Sequence, residues 1–90
     1  MPTLRIDCPD TSPSPGTSLS VTGTTPDCGT TTHQVSFNGN PVATTWTCNG
    51  EHFTIKITVP PCVPGASNVL VFSVKQGSAS DLCSVPVNCP

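Results

Sequence analysis

Ninety residues with six cysteines, eleven prolines, three fixed cations (Arg5, Lys56 and Lys75) and a net charge of −2 describe one small domain, residues 1-90, whose core alone gives modest stability. That balance leaves no basic footprint for phosphate-rich partners, so nucleic acid is excluded. The longest apolar runs, such as Val69 to Phe72, fall far short of the roughly 20 residues of a membrane span, and no membrane insertion is expected.

The cysteines follow one another at 20, 20, 14, 21 and 6 residues, with no C-x-x-C pair of the kind that zinc and redox sites use. A disulfide framework in an oxidising compartment is the expectation: secreted or cell-surface, extracellular or periplasmic, each bridge adding roughly 2–4 kcal/mol. No charged start followed by an apolar run opens the chain. Met1 is therefore read as the start of a piece excised from a larger protein whose export signal lies elsewhere.

Thr3 to Ile6 can form a short first strand, after which Cys8-Pro9 and Asp10 to Gly16, with prolines at 13 and 15, make a stiff connection with few backbone donors. Ser18 to Thr22 alternates polar and apolar, so Leu19 and Val21 point inward along a second strand that Gly23 ends. Thr24 to Thr32 is a polar loop that needs Cys28 as a tether. From His33 to Val59 the chain reads as a meander of three consecutive antiparallel strands, with turns centred on Asn38-Gly39 and Asn49-Gly50, the strongest short-range hairpin signal.

Within the meander, Val35 and Phe37, then Val42, Thr44, Trp46 and Cys48, then Phe53, Ile55, Ile57 and Val59 share the core face. Ser36, Thr45, Thr47, Thr54, Lys56 and Thr58 form the wet face of the sheet. Pro60-Pro61 stop the last of these strands. After Pro64-Gly65, Val69 to Lys75 forms another strand with Leu70, Phe72 and Val74 inward. Gln76-Gly77-Ser78 turns into a final strand, about Asp81 to Val87, which Pro86 marks as an edge or a bulge.

Seven short strands with frequent turn signals and little helical periodicity predict an all-β fold, an immunoglobulin-like β-sandwich of about seven antiparallel strands stapled by disulfides. The Cys-Trp-Cys order of an antibody domain is not met, because Trp46 lies two residues before Cys48 on one strand.

Pro15-Gly16-Thr17, Leu19 to Gly23, Val35-Ser36-Phe37-Asn38-Gly39, Thr54 to Pro60 and Asn68 to Val74, taken in that order, resemble the IPT/TIG family of immunoglobulin-like domains over most of the chain. The six cysteines depart from that family, as does the shortened segment after Gly23, where an aromatic residue often follows. The resemblance implies a repeated spacer or adhesion module of a secreted prokaryotic protein. Ile6-Asp7-Cys8-Pro9 is similar to Val87-Asn88-Cys89-Pro90, 81 residues later, which is one domain's length and a hint of tandem repetition.

In a sandwich, successive antiparallel strands alternate ends. Cys28 and Cys48 then lie at one end, and Cys62 and Cys89 at the other, favouring Cys28–Cys48 and Cys62–Cys89. Cys8 with Cys83 completes the set if the first strand lies beside the last; Cys8–Cys89 with Cys62–Cys83 is the main rival.

His33 and His52 with Glu51 or Asp27 fall short of the three or four ligands at fixed spacing that a metal needs, so no metal or other cofactor is expected. No G-x-S-x-G elbow, paired carboxylates or phosphate-cradling glycine loop is present, and no enzyme activity is expected. A Lys-Asn isopeptide crosslink would require Lys75, Asn88 and Glu51 together, since Lys56 faces water. Carbohydrate binding through exposed aromatics is disfavoured by the core positions of Trp46, Phe37, Phe53 and Phe72, which leaves a Thr-rich face that could hydrogen-bond sugars, carry O-glycans or order water.

The expected function is a non-catalytic structural or adhesive module, monomeric in isolation. Its expected partners are the neighbouring domains of its parent protein, with surface proteins or glycans beyond them. The alternative is a carbohydrate-binding accessory module of a secreted hydrolase, for which Trp46 would have to be exposed.

Overall fold

A computed structural model of the chain describes residues 3–89. Met1 and Pro90, the latter the last residue of the repeat-like terminal match, lie outside the described residues. Eight strands are present among those described: β1 (Arg5–Asp7), β2 (Ser18–Thr24), β3 (Thr31–Phe37), β4 (Asn40–Pro41), β5 (Thr45–Asn49), β6 (His52–Thr58), β7 (Val69–Gln76) and β8 (Ala79–Pro86).

They form two four-stranded sheets, ordered β1-β2-β6-β5 and β4-β3-β7-β8. All pairings are antiparallel. In immunoglobulin lettering these are the A-B-E-D sheet and the C-F-G sheet with a short C′ strand at its edge. The expected disulfide-stapled sandwich is therefore the observed fold.

Period-2 patterning builds the core. Leu19 and Val21 of β2, Val35 and Phe37 of β3, Phe53, Ile55 and Ile57 of β6, Leu70, Phe72 and Val74 of β7, and Cys83 and Val85 of β8 all turn inward, joined by Val59 and Val87 beyond the strands. Leu4 and Ile6 close it on the β1 side. On β2 and β6 these residues alternate with exposed or half-buried polar ones, as expected where one face of a sheet meets water, whereas β7 and β8 also turn Val69, Val71 and Leu82 outward.

The expected three-strand meander is corrected. Asn38 (φ 50°) and Gly39 (φ 87°) do form a two-residue turn with both residues left-handed, the type I′ signature. The strand that follows ends after Pro41, which has no N–H for the ladder. A last bond from Val42 N to Val35 O (2.9 Å) precedes the crossing of Val42 to Thr44 to the other sheet. β3 and β5 thus belong to opposite sheets, and the stretch from His33 to Val59 links the two layers.

The second turn is shifted by one residue. Asn49 pairs with His52, so the central residues are Gly50 and Glu51. Only Gly50 (φ 65°) is left-handed there, as a type II′ turn requires.

Gly23 does not end β2, which runs on through Thr24. A Cβ at Gly23 would collide with the Arg5 carbonyl oxygen and with the Phe53 ring, whose Cε2 would lie 2.7 Å away. Glycine is needed for close approach here, where Gly23 pairs with Ile6 of β1 on one side and Phe53 of β6 on the other.

The strands define two ends. At one, Thr24 Oγ1 donates to the Thr3 carbonyl (2.7 Å) and Thr25 N to the Glu51 carbonyl (2.9 Å). At the other, Val59 N donates to Thr17 O (2.9 Å) and Asn88 N to Pro13 O (2.8 Å). The first and last described residues therefore sit at opposite ends of a body whose principal extents are 42 × 21 × 21 Å.

Candidate functional site

All six cysteines are paired: Cys8–Cys83, Cys28–Cys48 and Cys62–Cys89. Cys28 lies in a 3-10 turn before β3, where the Asp27 side chain caps Gly29 N (3.0 Å), and its bridge ties that turn to β5. Cys62 lies beyond β6 and Cys89 beyond β8, at the opposite end. Cys83 is buried in the middle of β8 and reaches Cys8 just after β1, with Cα atoms 5.5 Å apart. Asp81, also on β8, supports the same junction by accepting from Ile6 N (2.8 Å). Those two contacts hold a strand of one sheet against a strand of the other.

The outer face of the first sheet is a lattice of hydroxyls. Cross-strand register aligns Thr22, Thr54 and Thr47 in one row, Ser20, Lys56 and Thr45 in the next, and Ser18 with Thr58 in a third. At its rim a shallow groove of about 410 Å³ is lined by Ser18, Ala43, Thr44, Thr45, Lys56, Ile57 and Thr58. Its donors are hydroxyls and a single ammonium, and no aromatic ring faces it. Such a surface can hydrogen-bond a polar chain but offers no stacking platform for a sugar.

Trp46 is half-buried and is engaged by two rings. His33 stacks on it with centroids 4.5 Å apart and planes 8° from parallel, and Phe53 with centroids 5.1 Å apart at 18°. His33 comes from β3 and Trp46 from β5, so this stack spans the two sheets along the open side. His33 Nε2 also shares a hydrogen bond with Thr44 Oγ1 (2.7 Å). Burial lowers the His33 pKa from its ordinary 6.5 by disfavouring the charged ring.

The titratable residues considered for a metal are dispersed. His33 points between the sheets, His52 is exposed on the outer face of β6, and Asp27 is occupied with its own turn, accepting also from Thr30 Oγ1 (3.2 Å). No group of three or more His, Cys, Asp or Glu poised for a metal occurs among the described residues. The isopeptide candidates are likewise separated. Lys75 pairs with Ser80 near the start of β8, whereas Asn88 lies beyond the other end of that strand, eight residues away from Ser80.

Two structurally important residues carried only a faint sequence signal. Asn68, buried and left-handed (φ 54°), accepts from Val63 N (2.8 Å) and Asn38 Nδ2 (3.2 Å) and donates to the carbonyls of Val63 (3.2 Å) and Ala66 (3.0 Å). It organises the loop that carries Cys62. Thr25, fully buried, shares a hydroxyl bond with Thr31 (2.6 Å) beneath the Cys28 turn. Asn is the non-glycine residue best suited to a left-handed position, and that was the available clue for Asn68.

No protein-family model matches the chain, and no curated protein matches it.

Proposed function

We propose that this domain is a non-catalytic spacer or adhesive module of an extracellular protein, IPT/TIG-like in kind, standing between neighbouring domains. The observation that carries the proposal is the route of the chain through the body. It enters at one end of a 42 Å long axis and leaves at the other, the geometry of a link that adds length. Three disulfides support an oxidising, non-cytoplasmic setting. The aromatic side chains are committed to the core or to the Trp46 stack, which leaves hydroxyls and few charges outside.

Two measurements test it. Small-angle scattering on two copies joined head to tail should give a maximum dimension about twice the 42 Å of one copy. Titration with soluble polysaccharides should leave Trp46 fluorescence unchanged. A compact, folded-back pair would count against a spacer, and a saturable change in Trp46 emission would move the reading to a carbohydrate-binding accessory module.

A further inference from the structure

We propose that the Cys8–Cys83 bridge is a tension shunt: load applied along the long axis runs through covalent bonds at the edge of the sandwich and bypasses the fold. The proposal rests on the spacer reading for its biological use, and on disulfide connectivity for its mechanics.

Load enters at the Thr3 end and leaves at Cys89. From Leu4 it needs four backbone steps to reach Cys8, crosses the bridge (Cα–Cα 5.5 Å) to Cys83, and needs six more steps to Cys89. At about 3.6 Å per fully extended step, this route is about 40 Å long. The folded body is itself 42 Å long. Fully extended, the covalent route is thus no longer than the folded body, so pulling cannot lengthen the module appreciably beyond the size it already has.

The segment between Cys8 and Cys83, which includes the six strands β2 to β7 and the first half of β8, lies in a closed loop that carries no load. The two other bridges fall outside the load path: Cys28–Cys48 lies wholly within the loop, and Cys62–Cys89 joins the loop to the exit point without shortening the route. The contacts around Cys8–Cys83 suit this assignment. Cys83 is buried in β8, and the Asp81 bond to Ile6 N holds the two chain segments parallel to the load beside the bridge.

Without this bridge the next shortest route runs twenty-four steps from Leu4 to Cys28, across to Cys48, fourteen steps to Cys62, and across to Cys89. That route is about 150 Å long when extended, so the bridge withholds about 100 Å of extension per module.

Single-molecule force spectroscopy of the oxidised chain, held between reference domains, tests this directly. The wild type should show no length gain of its own. Cys8→Ala with Cys83→Ala should gain about 100 Å, as an unfolding step if the variant folds and as slack at low force if it does not. Cys28→Ala with Cys48→Ala, which leaves the shunt intact, should behave as the wild type. A gain near 100 Å or more in the oxidised wild type, or no added length in the Cys8/Cys83 variant, overturns the proposal. These outcomes are independent of the scattering and polysaccharide measurements that test the spacer reading, so the two can fail separately.

Discussion

Gly23, Asn68 and His33 each show a side chain, or its absence, set by its immediate neighbours. Gly23→Ala places a methyl group against the Arg5 carbonyl and the Phe53 ring, and we expect a loss of about 1–3 kcal/mol from overpacking, read by chemical denaturation. Asn68→Gly preserves the left-handed backbone and removes only the side-chain bonds to Val63, Ala66 and Asn38. Its expected cost is about 1–3 kcal/mol, because backbone groups lose their partners. For His33, burial lowers the folded-state pKa below 6.5, so as pH falls through 6.5 the unfolded chain takes up the proton first. Stability present above that pH is lost towards the lower folded-state pKa. Denaturation midpoints at pH 7.5 and pH 5 should differ more for the wild type than for His33→Phe, which keeps a stacking ring on Trp46 without a proton to gain.

At the scale of elements, the connections between strands carry more specification than the strands. The Asn38-Gly39 hairpin was legible because both central residues must be left-handed and few other pairs tolerate that. The Asn49-Gly50 turn was legible as a turn but not in its register, since glycine can serve at either central position and Glu51 gives no local signal. Pro41 cannot donate to a ladder, but the crossing to the opposite sheet that follows it depends on where Trp46 and Cys48 find apolar neighbours, which no local signal records. The bridges differ in the length of chain they close, 20 residues for Cys28–Cys48 and 75 for Cys8–Cys83. In the chain-entropy picture their removal costs about 3 and about 4.5 kcal/mol respectively. Replacing each pair by alanine should rank the variants in that order in equilibrium unfolding.

For the molecule as a whole, the end-to-end course of the chain joins the spacer reading to the tension shunt, because both depend on load or length being passed along one axis. Trp46 fluorescence is a convenient global reporter. Its stack joins β3 of one sheet to β5 of the other, so collisional quenching should rise sharply when the sheets part and stay low in the native state. The sequence by itself determined the class of fold, the inward and outward faces of nearly every strand, and that the cysteines serve as disulfides. Those follow from alternation at period 2, from Gly, Asn and Pro at turns, and from six cysteines, all of which act within a few residues. The tertiary structure alone decided which sheet each strand joins, that Gly23 is a close-packing residue, and that the Trp46 stack spans the two layers. It also selected Cys8–Cys83 over its rivals. Each of those is a contact between segments distant in the chain, and such contacts are set by the joint packing of both sheets rather than by any local run of residues.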